Sequence, residues 1–495
     1  MGSVTNSGEY HILMLPFMAH GHLIPFLELA NFIHRKSSVF TITIACTPSN
    51  IQYLRSAAAD SKIRLAELYY SSSDHGLPPN TESTENLPLN QIDTLFHSST
   101  ALELPLRELI SDLVQKDGSP PLCIISDVFL GWSVAVARSF NIPVFSFTTC
   151  GAYGTLAYIS LWLNLPHRSS TSDEFSLPGF PENCRFHRSQ LHRFLLAADG
   201  TDSWSRYFRP QISYSLSSDG WLCNTVEEVE SFGLKHLRDY IKLPVWAIGP
   251  LLLQTSSGGR RRWGKEKDSG VGLETCMNWL NSHRKNSVLY ISFGSQNTIT
   301  ESQMMELAYG LEESGSAFIW VVRPPSGHDM KAEFRAHQWL PEHFEDRMKE
   351  TNRGLVIRNW APQLEILAHE SVGAFLSHCG WNSTVESLSQ GVPVIGWPMA
   401  AEQAYNSKML VEEMGIGVEL TRGKESEIKR GRVKEVIEMV MGEGGEGEEM
   451  RNKAAIVKDK MRAAVMDEHK GSSNTNLVDF LEFIQAKQKS LNKIK

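Results

Sequence analysis

Between Trp360 and Gln403 the chain reads WAPQLEILAHESVGAFLSHCGWNSTVESLSQGVPVIGWPMAAEQ. Its polar and aromatic side chains come in an order that suits a ligand with unlike parts. Trp360 offers a flat face for stacking. His378, Asn382 and Ser383 bring hydrogen-bond donors to a turn, His378-Cys379-Gly380. Glu386 follows Asn382 by four residues, one helical turn on, so the two share a face. Glu402 and Gln403 close the stretch with a carboxylate and an amide. The elements that position them are legible. Val372–Ser377 is an apolar run of the kind found in buried parallel strands. Trp381–Gln390 predicts a helix, with Val385 and Leu388 three apart and Gly391 as its stop. Val392–Trp397 predicts the next strand. A strand that turns through glycine into a helix start points free N–H groups and the positive dipole end outward, which makes an anion site. A carboxylate beside it suits the two hydroxyls of a ribose. Together these groups could hold a nucleotide, a diphosphate and a sugar in a row. Trp397 and Cys379 read as packing residues.

A second set of residues could move a proton. The first apolar run is followed by Phe17-Met-Ala-His20-Gly-His22-Leu-Ile-Pro25, two histidines in one loop that leads into a helix. A neutral imidazole is a fitting base near pH 7. It needs a partner to fix its tautomer and to stabilise the cation that forms. Asp127 ends the apolar run Cys123-Ile-Ile-Ser126, where a carboxylate is out of place as a core residue. The competing reading of Asp127 is the N-cap of a helix over Gly131–Arg138. The spacing places His20 and His22 on diverging directions of an extended loop and does not by itself choose between them.

Strands and helices alternate along the chain, so the class is α/β with parallel sheets. Candidate strands in the first half are His11–Phe17, Phe40–Cys46, Leu122–Asp127, Val144–Phe147 and Trp221–Asn224. Leu23, Phe26, Leu27, Ala30 and Ile33 make one apolar helix face between them. Val288–Phe293, Phe318–Val322, Leu355–Arg358, Val372–Ser377 and Val392–Trp397 repeat the design in the second half. The 495 residues are too many for one ordinary core. The expected division is a first domain over 1–253, a polar linker over 254–272, a second domain over 273–475 and a C-terminal helix and tail over 476–495. The acidic, Gly-rich stretch Gly442–Glu449 reads as a loop.

Hydrophobic content of 41% and charged content of 21% are those of a water-soluble globular chain. A net charge of −8 argues against nucleic acid as partner. The basic run Arg260–Arg262 reads as solvated linker. Seven scattered cysteines with no CxxC and no metal spacing read as reduced thiols. MGSVTNSGEY has neither a basic n-region nor an apolar stretch, and no run approaches the roughly 20 apolar residues of a membrane helix, so a cytoplasmic protein is expected.

The stretch Trp360–Gln403 resembles the plant secondary-product glycosyltransferase box without a gap, and the chain looks like a plant family-1 UDP-glycosyltransferase. The resemblance implies a glycosyltransferase B (GT-B) fold, two Rossmann-like domains facing one cleft. It implies that Trp360 stacks on uracil, that the Ala361 backbone and Gln363 pair with the base edge, and that Glu386 binds the ribose. His378, Asn382, Ser383 and Ser295 would hold the diphosphate; Trp381, Glu402 and Gln403 would contact the sugar. The family often has Asp where this chain has Glu402. Gln403 leans the donor toward UDP-glucose. The resemblance also selects His22, in the Gly-His pair before the helix, as catalytic base with Asp127 as its partner, and Thr149 as a sugar or phosphate contact.

The implied reaction is an inverting transfer of a hexosyl unit to a small hydrophobic hydroxylated acceptor. The protein would act as a monomer and without metal or other cofactor, since no Asp-x-Asp pair flanks the box. Phe17, Met18, Trp162, Phe194 and Leu195 are expected acceptor-pocket walls, suited to a flavonoid or other phenolic or to a terpenoid. Two other readings compete: a non-catalytic UDP-sugar-binding protein, and a dinucleotide-dependent oxidoreductase. The one GxGxxG, Gly442–Gly447, follows a helical stretch and carries glutamates that would repel a pyrophosphate, which disfavours the latter.

Overall fold

The apolar runs assemble into two parallel sheets in the computed structural model, which describes residues 10–57, 62–252, 271–423, 426–466 and 470–493. The first sheet has seven strands in the spatial order Arg64–Glu67, Phe40–Cys46, Tyr10–Leu15, Cys123–Asp127, Val144–Thr148, Trp221–Cys223, Val245–Ala247. The second has six, in the order Gly354–Arg358, Ala317–Val322, Val288–Ser292, Val372–Ser377, Val394–Gly396, Gly417–Glu419. All pairings in both are parallel. Each sheet therefore reverses its winding once, beside its own first strand. In the first sheet the crevice lies between Tyr10–Leu15 and Cys123–Asp127, in the second between Val288–Ser292 and Val372–Ser377. Ligands in open α/β sheets sit at the carboxyl ends of strands at such a reversal. The architecture is the GT-B arrangement of two Rossmann-like domains.

The central strands are buried along nearly their whole length, as expected where helices cover both faces. The helix His20–Lys36 covers the first sheet with Leu23, Phe26, Leu27, Ala30 and Ile33 all buried. The C-terminal helix Ser472–Lys493 begins before the expected Asn476 and packs on the first sheet. Phe480 meets Phe145 and Trp246 edge-on at 5.1 and 5.2 Å. Asn476 donates to the Ala247 carbonyl (2.9 Å), and Lys487 pairs with Asp219 (2.6 Å).

Several expectations need correction. His20 and His22 are not in an extended loop; they form the first turn of His20–Lys36. The strand expected at Val392–Trp397 shrinks to Val394–Gly396. Pro393 has no N–H for a ladder, so the run pairs only beyond it. Gly442–Glu449 is not all loop, because a helix over Gly445–Ala464 starts within it. Arg64–Glu67, Val245–Ala247 and Gly417–Glu419 were not foreseen: at three or four residues they are too short to show a period. The expected linker 254–272 and Arg260–Arg262 lie outside the described residues, except for 271 and 272. No helix among the described residues is long and apolar enough to cross a membrane.

Candidate active site

The expected polar residues gather at the carboxyl ends of the strands: His22, Asp127, Ser295 and His378 at the two reversal points, Thr149, Gln363, Glu402 and Gln403 after neighbouring strands. At the first, Asp127 ends its strand with its side chain fully buried. One carboxylate oxygen accepts the Phe129 N–H (3.0 Å); the other lies 2.7 Å from Nδ1 of His22. Asp127 is thus not a helix cap. The helix it precedes runs over Ser133–Ser139 and is capped by Trp132. The bond to Asp127 puts a proton on Nδ1 and leaves Nε2 of His22 as a lone-pair acceptor. Burial draws the His22 pKa down, but the charge and hydrogen bond of Asp127, with Glu402 and Glu85 beyond, outweigh it, and the pKa is raised. The imidazole is therefore a stronger base than a free histidine.

Residues two apart on a helix point about 200° away from each other. His20 accordingly turns aside: its ring stacks on Tyr53 at 3.7 Å and its backbone N–H goes to Glu85 (2.9 Å). The Thr149 hydroxyl lies 3.4 Å from Nδ1 of His22, beside the base.

Around His22 the first domain presents rings. Phe17 and Phe129 pack against the imidazole at 5.6 and 5.4 Å. Of the expected walls, Phe17, Met18, Trp162 and Leu195 are buried and Phe194 is half-buried. Trp162 stacks on Phe208 at 4.8 Å and Phe194 meets Trp204 at 5.3 Å. Phe96, Phe129, Tyr158, His192, Trp204 and Phe208 join the same cluster and were missed. Phe129, two residues after Asp127, could have been found from its place at a strand end.

The second reversal point carries residues expected to meet the diphosphate. His378 follows the strand Val372–Ser377, Cys379 turns the chain at φ +62°, and Gly380 caps the helix Trp381–Gln390 without a side-chain acceptor. The His378 ring is wedged between two glycines: a Cβ at Gly294 would stand 2.7 Å from it, and one at Gly380 2.5 Å. Gly294 also has φ +76°, which an L side chain rarely adopts. Nδ1 of His378 is buried and has no hydrogen-bond partner among the described residues. Burial, helped by the charge of Arg323, pulls its pKa down to about 4, so the ring is neutral. Arg323 was missed. It directly follows the strand Ala317–Val322, donates to the carbonyls of Gly294 and Asn359, and sets a half-buried cation near His378. Ser295 is exposed on the Gly294 turn. Its neighbour Gln296 donates to Thr84 and Glu85 of the first domain at 2.7 Å each, tying that turn across the cleft.

Further along, Asn359 at φ +62° swings Trp360 outward, and its indole is 36% exposed, unusual for so large an apolar ring. Ala361 is buried. Gln363 donates to Ser383 (3.0 Å) and Glu386 (2.6 Å). Burial, eased by Gln363 and reinforced by Glu365, raises the Glu386 pKa to about 7. Glu402 is likewise raised, mainly by burial, with Asn406 donating to it (3.3 Å). The Gln403 carbonyl oxygen accepts the Met399 and Ala400 N–H groups at 2.9 Å, so its contribution to a ligand is its NH2. Asn382 reaches across to the Gly21 carbonyl (3.1 Å) and Trp381 to that of Asn224 (2.7 Å). Those two side chains hold the halves together as found, leaving Trp381 its backbone N–H for a ligand.

Comparison with known proteins fits this geometry. Residues 266–459 match the family model described as UDP-glucoronosyl and UDP-glucosyl transferase. The chain is 42% identical to UDP-glycosyltransferase 92A1 of Arabidopsis thaliana over 487 residues, 96% of this chain and 97% of that one. It is 47% identical to crocetin glucosyltransferase 3 of Crocus sativus over 415 residues, 81% and 85% of the two chains. Its fold matches a Glycyrrhiza uralensis enzyme crystallised with glycyrrhetinic acid 3-O-monoglucuronide, with a TM-score of 0.82 and 28% identity over 98% of both chains. A chain of this fold, so like these relatives along its length, belongs to the plant family-1 UDP-glycosyltransferases, enzymes that use a UDP-sugar as co-substrate and glycosylate small molecules.

Proposed function

We propose that this enzyme transfers glucose from UDP-glucose to a hydroxyl of a small hydrophobic acceptor with inversion, giving a β-O-glucoside. The observation that carries the reading is the His22–Asp127 pair, set at one reversal point opposite His378 at the other, whose buried Nδ1 has no partner among the described residues. In this reading Trp360 stacks on uracil, the Ala361 backbone and Gln363 meet its edge, and Glu386 takes the ribose hydroxyls. Ser295, His378, Asn382, Ser383 and the start of Trp381–Gln390 hold the diphosphate. Trp381, Glu402 and Gln403 orient the sugar, and Thr149 stands by to touch it. Asn382 exchanges its Gly21 partner for phosphate, and Gln363 turns from Glu386 as that carboxylate takes up the ribose.

Nε2 of His22 accepts the acceptor's hydroxyl proton while the oxygen attacks the anomeric carbon. The bond from that carbon to the diphosphate oxygen breaks in the same in-line step, and UDP leaves with the electron pair. Asp127 stabilises the imidazolium. The leaving charge is met by the helix N-terminus, His378 and the half-buried Arg323, so the reading needs no metal. Glucose is favoured because relatives are named glucosyltransferases and Gln403 directs its NH2, not its oxygen, toward a ligand. Cysteines that are all unpaired suit a reducing, cytoplasmic compartment.

The test is incubation of the purified protein with UDP-glucose and a panel of phenolic and terpenoid acceptors, with His22→Ala alongside. A hexosyl mass gain that requires His22, with an axial–axial anomeric coupling in the product's NMR spectrum, is expected. A product of α configuration, or one formed equally by the variant, would sink the mechanism.

A further inference from the structure

His192 stands outside the machinery just described. It caps the short helix Arg193–Ala197, where its Nδ1 accepts the Leu195 N–H at 3.4 Å. Burial and the charge of Arg193 pull its pKa down to about 4, so the ring is neutral at pH 7. A neutral imidazole whose Nδ1 accepts must carry its proton on Nε2. That Nε2 is buried and has no hydrogen-bond partner among the described residues. The rings around it are Tyr158 at 6.3 Å, Trp162 at 6.2 Å and Phe194 at 6.2 Å.

Trp162 repeats the anomaly. Its indole N–H is buried and also reaches no acceptor at hydrogen-bonding geometry, although it lies near enough to the Tyr158 hydroxyl to oppose the upward push that burial gives that phenol. A buried N–H donor with no acceptor, beside a second that has only a poorly aligned phenol oxygen near it, is rare in a native protein. They are also not sealed in: His192, Phe194, Trp204 and Phe129 are only half-buried, so the ring cluster has an open side. Phe129 joins that cluster to the base, lying 5.9 Å from Tyr158 and 5.4 Å from His22.

We propose that His192 and Trp162 form a specificity site for the acceptor, taking a carbonyl oxygen of a flat aromatic substrate at the end remote from the hydroxyl held at His22. The inference rests on the transferase reading above. The site's chemistry is selective. Aromatic walls match a planar ring system. Two neutral N–H donors match a neutral carbonyl; a carboxylate would have to bury its charge, and the nearby Arg193 is exposed and stacked over Phe194. An acceptor without that oxygen leaves the His192 donor unmet and Trp162 with only the misaligned Tyr158 hydroxyl, and unmet polar groups are what let polar pockets discriminate most strongly.

The test compares two acceptors that differ only there: a hydroxyflavone and the hydroxyflavan lacking its ring carbonyl, each with UDP-glucose. In the wild type kcat/KM for the flavone exceeds that for the flavan by about tenfold or more. In Trp162→Phe, which keeps a ring and loses the N–H, that ratio falls severalfold; in His192→Phe it falls toward one. The ratio is the readout because a packing role alone would lower both rates together. Equal wild-type rates on the two acceptors, or a ratio that neither variant moves, overturns this proposal and leaves the transferase reading standing. A wild type that glycosylates neither flavonoid overturns this proposal, and the transferase reading falls with it only if the wider phenolic and terpenoid panel also gives no product.

Discussion

The two reversal points occupy the same place in two similar sheets, yet one is wired and the other is open. At the first, His22 is held by Asp127, and Asp127 is held by the Phe129 N–H. At the second, the helix start has no side-chain cap, His378 has a buried nitrogen without a partner, and Trp360 leaves a large face exposed. The difference follows from what each must do. A base must be correct in tautomer and direction before the acceptor arrives, so its hydrogen bonds are internal. An anion site must keep its donors unspent until the anion comes, although an unmet buried donor costs about 1–3 kcal/mol.

The sharpest way to break the comparison is at the wired end. His22→Ala is expected to lower turnover by about 10²–10⁴-fold while UDP affinity, measured by calorimetry, stays near wild type. Asp127→Asn removes the charge that raises the His22 pKa and unsettles its tautomer. A loss of up to about 10⁴-fold is expected. His22 acts when neutral, so wild-type kcat/KM rises with pH through a pKa above 6.5. The residual activity of Asp127→Asn should show that acid limb displaced to lower pH. An unmoved limb would mean that another group controls it.

At the open end the effects should be smaller and should fall on binding. His378→Ala is expected to weaken UDP by about 10–100-fold, the range for a hydrogen bond to a charged group. If turnover fell and UDP affinity did not, His378 would belong with the wired set. Trp360→Ala should weaken UDP by about tenfold, the low end for stacking on a base, with little change in melting temperature because the ring is already exposed.

The smallest effect expected is a pH dependence. Burial raises the Glu386 pKa to about 7, and in the proposed reading its ionised form accepts the ribose hydroxyls. Raising pH through 7 should therefore tighten UDP a few-fold, and Glu386→Gln should flatten the slope. A wild-type slope of opposite sign would remove Glu386 from the ribose.

Legibility followed range along the chain. Val372–Ser377 and Trp381–Gln390 fold with the bounds that their apolar spacing predicts. So the donor-side residues from Trp360 to Gln403 could be found together. The acceptor side was read poorly. Phe96, Phe129, Tyr158, His192 and Phe208 come from five separate segments, and no spacing announces that they meet. Arg323 was missed for a related reason. A single arginine after a strand looks like any solvated charge until the Gly294 turn folds over it. His20 was seen to diverge from His22, but for the wrong reason: the helical twist separates them, not an extended loop.

What the sequence determined by itself was local. Periodicity fixed the α/β class, the glycine turn fixed where an anion would be drawn, and residue types supplied a base, a carboxylate and stacking faces. Those follow from forces that act within a few residues: steric limits on φ and ψ, helix dipoles and the burial of one face. The tertiary structure decided which histidine meets Asp127, since the strand before His22 and the strand ending in Asp127 become neighbours only when the sheet forms. It also decided that His378 stays neutral, because its burial against partners such as Gly294 and the nearby charge of Arg323, which both lower its pKa, come from far off in the chain and are brought close by packing.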